Sequence, residues 1–262
     1  MRPFFSDPTP LAIAHRGSRL LWPENTMEAF QGAIDLGYRY LETDLHRTRD
    51  GVLVAFHDDI VDRTTDGTGP IAAKTWGEVG ELDAAYRFAP HQNFPRRGAG
   101  ARIPSLEELW DSFPDVRFIF DLKEPGFEED LAGFLQRRGG EDRVIVGSFS
   151  DARLARFRKA SRGQVATSSG PAETLALWTA ARFGRWLRTK ADVLQIPEDF
   201  AFVQLPDSKL IEAAEAAGRQ VHVWTVNDPD HMTRLLDVGV HAIITDRLDL
   251  LKQLMETRGE WQ

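Results

Sequence analysis

Short apolar runs alternate with segments of helical periodicity along most of the chain, and this alternation limits the fold more than any other feature of the sequence. A strand buried on both faces gives a short continuous apolar run, whereas a helix repeats its apolar residues every three or four positions. Eight such runs, each followed by a helical segment, start near residues 11, 38, 116, 144, 165, 193, 221 and 242. The pattern predicts parallel strands joined by helices.

Eight strand and helix units in 262 residues predict an α/β fold of the (β/α)8 TIM-barrel type. A ninth apolar run, 52–56, follows the hairpin-turn signal Asp50-Gly51, so we interpret it as an antiparallel partner of the second strand. A doubly wound open sheet is the alternative, but no strand is followed by a glycine-rich dinucleotide fingerprint. The sequence therefore predicts a single domain over 1–262, with a small insertion after the second strand at about 46–103.

Some helix ends can also be predicted from local sequence. Ser105 and Glu108 have the spacing of a capping box, and so do Asn25 and Glu28, so a helix is expected to begin after each pair. A further helix is expected over 171–187, where apolar residues recur at helical spacing after a proline.

The second predicted strand carries two carboxylates, Glu42 and Asp44, which are two residues apart. Alternate side chains of a strand point to the same face, so both are expected at one spot, and the hairpin that follows would bring His57 near them. Two adjacent like charges repel unless a proton or a cation offsets them. The pair therefore indicates a divalent-cation site, the alternative being an exposed strand whose acidic residues face water.

Polar residues collect where the predicted strands end. In a TIM barrel the active site lies at the carboxyl ends of the strands, so the sequence predicts an active site at this mouth. Trp224 could fill the mouth or stack on a substrate there. The residues are His15 and Arg16 on the first strand, Glu42 and Asp44 on the second, Asp121 and Lys123 on the third, Trp224 on the seventh and Asp246 on the eighth.

Charge and composition limit the class of partner. Lys and Arg number 32 against 40 Asp and Glu, and a net charge of -8 argues against a nucleic-acid binder, which needs a basic face. The chain has no cysteine, which excludes thiolate nucleophiles and zinc–sulfur sites. No apolar run is long enough for a signal peptide or a stable membrane insertion. We expect a cytoplasmic protein with a small-molecule partner.

Several short polar motifs follow one another along nearly the whole chain. In order they are His15-Arg16-Gly17, Pro23-Glu24-Asn25-Thr26, Glu42-Thr43-Asp44, Phe56-His57-Asp58, Arg63-Thr64-Thr65, Ile103-Pro104-Ser105-Leu106-Glu107-Glu108, Asp121-Leu122-Lys123, Trp224-Thr225-Val226-Asn227 and Ile244-Thr245-Asp246. This ordered set resembles the glycerophosphodiester phosphodiesterase family, one of the phosphatidylinositol phospholipase C-like phosphodiesterase barrels. The resemblance implies a (β/α)8 barrel with an insertion after the second strand.

The resemblance also implies roles for individual residues. His15 and His57 would be the acid–base pair, and Arg16 and Lys123 would bind the phosphate. Of the two histidines, His57 is the favoured acid, because its hairpin is expected to hang over the mouth. Which histidine protonates the leaving alcohol is left open by the sequence itself. Trp224 would contact the substrate.

A divalent cation would be held by Glu42, Asp44 and Asp121. Three carboxylates favour Mg²⁺ or Ca²⁺ over zinc. The family usually has Glu at the third position, and Asp is one methylene shorter. Glu124 is the alternative third ligand, but strand alternation would turn it away from the face that Asp121 shares with Lys123.

The implied activity is hydrolysis of glycerophosphodiesters to glycerol 3-phosphate and an alcohol. Such a reaction needs charge neutralisation on the phosphate, an activated nucleophile and a proton for the leaving alkoxide. Two alternatives stand beside it. One is a lysophospholipase D-like enzyme with the same residues and a more apolar groove, and the other is a barrel that binds phosphodiesters without catalysis.

Overall fold

The computed structural model describes residues 2–185, 187–200, 203–204 and 206–261, and within them the apolar runs form a barrel sheet. The bounds of the predicted runs agree with the strands to within about two residues. The strands are β1 (Leu11–His15), β2 (Tyr40–Arg47), β3 (Leu53–Ala55), β4 (Arg117–Leu122), β5 (Val144–Gly147), β6 (Ala166–Thr167), β7 (Val193–Pro197), β8 (Asp199–Phe200), β9 (Val203–Gln204), β10 (Gln220–Trp224) and β11 (Ala242–Thr245).

Eight of these strands pair in parallel in the order β6-β5-β4-β2-β1-β11-β10-β7. A parallel bridge between Ser168 and Val193 joins the two ends of this order. The first and last strands of the chain, β1 and β11, lie side by side, with Ile13 opposite Ile244. The predicted (β/α)8 barrel is therefore confirmed.

The interior of the barrel is filled with side chains, most of them apolar, below the level of the predicted active site. Ile13, Ile119 and Ile244 belong to one buried cluster, which the N-terminal residues Phe4 and Phe5 join. Phe4 packs edge-on against Tyr40, the first residue of β2, with ring centroids 5.6 Å apart. The amino-terminal end of the barrel is thus packed with side chains, and ligand access is left to the carboxyl end.

Helices surround the sheet and bury its outer face. Their apolar sides pack against the outward-facing residues of the strands in two large clusters, one built around Phe118 and Phe120 and one around Val221 and Ile243. None of the helices in the described residues is long and apolar enough to cross a membrane. The helices are α1 (Met27–Asp35), α2 (Trp76–Gly80), α3 (Leu106–Ser112), α4 (Glu128–Arg138), α5 (Asp151–Ala160), α6 (Pro171–Arg182), α7 (Ser208–Ala216), α8 (Pro229–Val238) and α9 (Leu248–Arg258).

Two of the predicted helix ends need correction. Helix α1 is capped by Thr26, whose hydroxyl accepts from the Ala29 backbone N–H, and not by Asn25, which is left-handed with φ of 54°. Helix α6 ends at Arg182 instead of residue 187, because Gly184 is left-handed and stops it. Trp186, which the longer prediction included, lies outside the described residues.

The capping box at α3 is confirmed. The Ser105 side chain accepts from the Glu108 backbone N–H, and the Glu108 carboxylate accepts from the Ser105 N–H. The two reciprocal bonds fix the point where the chain leaves the insertion and re-enters the barrel layers.

Between β2 and α3 the chain forms a small layer with its own apolar core. Strand β3 pairs antiparallel with the end of β2, with Leu53 opposite Arg47, as the hairpin signal predicted. The turn contains Gly51 in the left-handed region, at φ of 94°. Val54 and Phe56 lie in a buried cluster with Val61, Ile71 and other residues of this segment. The strand leading to His57 is therefore held by packing as well as by pairing.

Candidate active site

All eight residues to which the sequence assigns a catalytic, metal-binding or substrate-binding role line one cavity of about 880 Å³ at the carboxyl ends of the barrel strands. The cavity collects them from elements that are far apart in the chain, as the barrel predicts. The eight are His15, Arg16, Glu42, Asp44, His57, Asp121, Lys123 and Trp224.

The loop after β1 holds Arg16 in an unusual backbone conformation. Arg16 and Ser18 have φ of 53° and 91°, a region that residues with a side chain rarely adopt. The Ser18 hydroxyl donates to the Asp246 carbonyl at 2.6 Å, and this bond ties the loop to the end of β11. The Arg16 guanidinium lies 3.0 Å from both Asp44 and Glu24, so the loop aims it into the carboxylate group.

His15 is held by Asp246, which follows the last barrel strand. The two join through Nδ1 and Oδ1 at 2.8 Å, and the other Asp246 oxygen accepts from Arg19 at 2.9 Å and from Asn227 at 3.0 Å. Burial opposes the charge of Asp246, but the bond from His15 and the other donors keep the pKa of Asp246 below its usual range. With Nδ1 engaged, His15 presents Nε2 toward Glu42, 3.8 Å away.

His57 has a similar partner, but a local one. Its Nδ1 lies 2.5 Å from Oδ1 of Asp58, the next residue, and Asp58 also accepts from Arg63 at 2.5 Å. Arg63 continues to Glu24 at 2.7 Å, and Glu24 to Arg16, so a chain of alternating charges links the two halves of the site. This arrangement leaves Nε2 of His57 free to act.

The charges around His57 favour its neutral form. Burial lowers the pKa of His57, and the positive charges of Arg16 and Lys123 lower it further, against the opposing charge of Asp44. A neutral imidazole whose Nδ1–H donates to Asp58 carries its lone pair on Nε2. His57 is thus equipped to accept a proton.

The carboxylates of β2 are buried together. Burial and the neighbouring charge of Asp44 raise the pKa of Glu42 well above its usual value, and Oε2 of Glu42 has no hydrogen-bond partner in the part of the chain that the structure describes. Asp44 is buried too, but Arg16 and Lys123 lower its pKa. A buried carboxylate oxygen without a partner costs free energy unless a proton or a cation reaches it.

Lys123 lies between two of the predicted metal ligands. Its Nζ is 2.7 Å from Asp44 Oδ1 and 2.8 Å from Asp121 Oδ2, and although burial opposes its charge, these carboxylates raise the pKa of Lys123. Burial raises the pKa of Asp121. In the part of the chain that the structure describes, no three His, Asp or Glu side chains are placed to hold a metal ion as they stand.

The donor set nevertheless fits a hard divalent cation. Glu42, Asp44 and Asp121 supply oxygen ligands only, and a cation would offset the negative charge on Oε2 of Glu42, which finds no hydrogen-bond partner among the described residues. Lys123 now supplies part of the positive charge that Asp44 and Asp121 need.

The sequence of this chain is similar to that of a known enzyme family. The sequence model of the Glycerophosphoryl diester phosphodiesterase family matches residues 15–250. The chain belongs to this family. It is 37% identical over 257 residues to the probable glycerophosphodiester phosphodiesterase 2 of Mycobacterium tuberculosis, covering 96% of this chain and 92% of that protein.

Other relatives in the family agree with this assignment. A glycerophosphodiester phosphodiesterase of Caldanaerobacter subterraneus is 33% identical and covers 95% of this chain and 99% of its own. The solved structure of an Oleispira antarctica phosphodiesterase in complex with the product sn-glycerol-3-phosphate has a TM-score of 0.74 at 25% identity, covering 94% of this chain and 97% of that one. The chain is thus a glycerophosphodiester phosphodiesterase by family, and its fold is that of the family's solved structures.

Two details of the family resemblance can be compared with the structure. Glu124, the alternative third ligand, accepts from the Arg47 backbone N–H at 2.9 Å and faces His46, outside the cavity. Asp121 does line the cavity, so it is the better candidate. Trp224 packs edge-on against Phe149, with ring centroids 5.3 Å apart, and both rings line the cavity.

The carboxylate partners of the two histidines, Asp246 and Asp58, were not predicted from the sequence. Asp58 stood inside a family motif and directly follows His57, which is a signal that could have marked it as an orienting carboxylate. Asp246 was placed at the mouth and inside a family motif, but without a role of its own. Its contact with His15 depends on β1 and β11 being neighbours, which the closed barrel provides.

Proposed function

We propose that this phosphodiesterase hydrolyses glycerophosphodiesters to glycerol 3-phosphate and an alcohol, with two histidines as acid and base and a divalent cation at the carboxylates. One observation carries the proposal. Two imidazoles, His15 and His57, are each held at Nδ1 by a carboxylate, and both line the cavity that contains Glu42, Asp44 and Asp121. A phosphodiester bound between them would have a proton acceptor and a proton donor available.

His57 is the base in this proposal and His15 the acid. The position of the hairpin favoured the opposite assignment, but the lowered pKa of His57 keeps its imidazole neutral near pH 7, and a base must start neutral. Nε2 of His57 would take the proton of the attacking hydroxyl or water. His15 would then give a proton to the leaving alkoxide and, through Nδ1, remain hydrogen-bonded to Asp246.

Glu42, Asp44 and Asp121 would hold the cation, which we expect to be Mg²⁺ or Ca²⁺ because the ligands are all oxygen atoms. When bound, it would neutralise charge on the non-bridging phosphate oxygens. Arg16 and Lys123 would bind the same oxygens from the protein side, since both ammonium and guanidinium groups lie in the cavity.

The test is to incubate the purified protein with glycerophosphocholine in Mg²⁺ or Ca²⁺, to identify the phosphate product, and to repeat the assay with excess chelator. We expect glycerol 3-phosphate, and loss of activity on chelation. Full turnover in chelator would reject the cation. A lysophospholipid is tested in parallel, and turnover of that substrate alone would favour the lysophospholipase D-like alternative. Binding without turnover of either substrate would favour a non-catalytic barrel.

Asp121 offers a matched pair of variants for the cation site. Asp121→Glu retains a carboxylate and should bind the cation or shift its preference, whereas Asp121→Ala should weaken cation binding strongly, measured by calorimetry. Asp44→Asn should weaken it too while the cooperative thermal melt persists, because residues at a barrel mouth contribute little to the packed core. Unchanged affinity in Asp121→Ala would assign the third ligand to another residue.

A further inference from the structure

One part of the cavity takes no part in the chemistry proposed above, apart from Asp121 at its edge. It lies beside Gly147, the last residue of β5, which is directly opposite Asp121 of β4 in the strand register. The next two strands along the sheet bring Ser168 and Gln195 to the same region, and all four residues line the cavity. Polar side chains of three different strands therefore meet beside a residue that has no side chain.

Because Gly147 has no side chain, the position of a Cβ atom at this residue is empty, and the polar groups of Gln195, Ser168 and Asp121 surround it. A Cβ atom at residue 147 would lie 3.2 Å from Gln195 Oε1, 3.4 Å from Ser168 Oγ and 3.6 Å from Asp121 Oδ1. The backbone of Gly147 is not in the left-handed region, so its conformation does not call for glycine. What glycine provides here is space, lined by an amide, a hydroxyl and a carboxylate.

Gln195 has an unused donor at this place. Its Nε2 is buried and has no hydrogen-bond partner among the described residues. Val193, two residues before it on β7, belongs to the cluster inside the barrel, so strand alternation points Gln195 inward as well. A buried amide donor without an acceptor is unfavourable by itself and indicates a partner that binds there.

Asp121 divides its two oxygens between the two regions. Oδ2 is 2.8 Å from Lys123 Nζ, whereas Oδ1 lies 3.6 Å from the position that a Cβ atom of residue 147 would take. A second anionic oxygen, such as that of a phosphate, would be repelled by this carboxylate. A hydroxyl group would not, because it can donate to Asp121 or to Gln195 Oε1 and accept from Gln195 Nε2 or Ser168.

We propose that Gln195, together with Ser168, is a specificity-determining residue that binds the free hydroxyl groups of the glycerol moiety in the space beside Gly147. The identity of the moiety rests on the proposed function. The hydroxyl groups satisfy the amide donor that is otherwise left unpaired, so an alcohol without them is bound less well. The site thereby distinguishes the glycerol side of the diester from the leaving alcohol.

The test measures binding without turnover. Calorimetry compares sn-glycerol 3-phosphate with propyl phosphate, which lacks both free hydroxyls, on the parent protein, Gln195→Leu and Gly147→Ala. The parent should bind sn-glycerol 3-phosphate about tenfold more tightly, the size expected for one or two hydrogen bonds. Gln195→Leu, which keeps the approximate size of the side chain, should lose that preference. Gly147→Ala retains the amide but fills the space, and it should lose the preference as well.

Gln136→Leu is the matched control, because it makes the same change on the exposed face of α4 and should retain the preference. The inference is overturned if Gln195→Leu weakens the binding of sn-glycerol 3-phosphate and of propyl phosphate equally. It is also overturned if both Gln195→Leu and Gly147→Ala keep the preference for sn-glycerol 3-phosphate. Parallel assays with glycerophosphocholine separate the two claims. Turnover by a parent that shows no hydroxyl preference rejects the subsite alone, whereas a preference lost in Gln195→Leu without any turnover by the parent rejects the proposed function alone.

Discussion

His15 and His57 have the same chemical arrangement in two different structural settings. His15 ends the first barrel strand, its side chain is 11% exposed, and its partner Asp246 is fully buried and comes from the other end of the chain. His57 belongs to the insertion, its side chain is 33% exposed, and its partner Asp58 is the next residue. In both, a carboxylate on Nδ1 leaves Nε2 facing the cavity.

The difference shows two ways to orient an imidazole. His15 is fixed by barrel closure, because only the pairing of β1 with β11 brings Asp246 to it. His57 is fixed locally, by its neighbour Asp58 and by Arg63, which connects Asp58 to Glu24. The first arrangement depends on the whole fold, whereas the second depends on a segment of a few residues. The proposed acid and the proposed base can therefore be perturbed separately.

The largest effect should come from removing each histidine. On an alkyl diester such as glycerophosphocholine, His15→Ala and His57→Ala should each lower kcat about 10²- to 10⁴-fold. On a p-nitrophenyl phosphodiester, whose leaving group needs no proton, His15→Ala should lose far less, while His57→Ala should lose as much as before. Steady-state kinetics with both substrates measure the difference.

The control for this comparison is His91→Ala, which changes an exposed histidine of the insertion. It should retain activity on both substrates. A leaving-group dependence in His57→Ala instead of His15→Ala would exchange the two roles. If neither variant distinguishes the substrates, the acid–base pair itself is wrong.

A second effect, smaller than the first, concerns the orienting carboxylates. Asp246→Asn should lower kcat about 100-fold, because an amide can present N–H to Nδ1 and select the wrong tautomer of a buried His15. Asp58→Asn should cost only about tenfold, since His57 is more exposed and can reorient. Steady-state kinetics on glycerophosphocholine compare the two variants. If both lose the same factor in kcat, burial of the carboxylate does not determine how much it contributes to the rate.

The fold and most of the site could be predicted from the sequence, because they depend on local patterns. The apolar runs mark the strands, and Asp50-Gly51 marks the hairpin that carries His57. Strand alternation correctly placed Glu42 and Asp44 on one face, since the side-chain period of two does not depend on the rest of the structure.

Contacts that depend on closure or on side-chain placement could not be predicted. The sequence does not show that Asp246 reaches His15, because that contact needs the completed barrel. Nor does it show Lys123 lying between Asp44 and Asp121, although it placed all three at the mouth. For Gln195, the sequence shows only that one amide side chain interrupts the apolar run of β7.

Stability gives a third comparison. Asp246→Asn disturbs bonds from His15, Arg19 and Asn227 in a buried place, so it should lower the free energy of unfolding by about 1 to 3 kcal/mol. Asp58→Asn disturbs a partly exposed pair with Arg63 and should cost less than about 1 kcal/mol. Urea denaturation without ligands measures both, and a larger loss in Asp58→Asn would contradict the view that the insertion is the less integrated region.

The smallest expected effect is a shift in pH dependence at His57. As the base, His57 must lose its proton, so kcat/KM should rise with pH through the pKa of His57, which burial, Arg16 and Lys123 place below its usual value of about 6.5. The hydrogen bond to Asp58 raises that pKa in part. Asp58→Asn removes this negative charge, and the rising limb should therefore move to lower pH.

Asp59→Asn is the control, because it removes an adjacent exposed carboxylate, and its rising limb should stay in place. Both variants are assayed on the p-nitrophenyl phosphodiester, for which protonation of the leaving group does not limit the rate. With this substrate, a shift of the rising limb by a fraction of a pH unit can be measured. A shift to higher pH in Asp58→Asn would contradict the role of Asp58 as a stabiliser of protonated His57. An equal shift in Asp59→Asn would mean that any nearby negative charge raises the pKa of His57. The hydrogen bond from His57 to Asp58 would then have no special effect on that pKa.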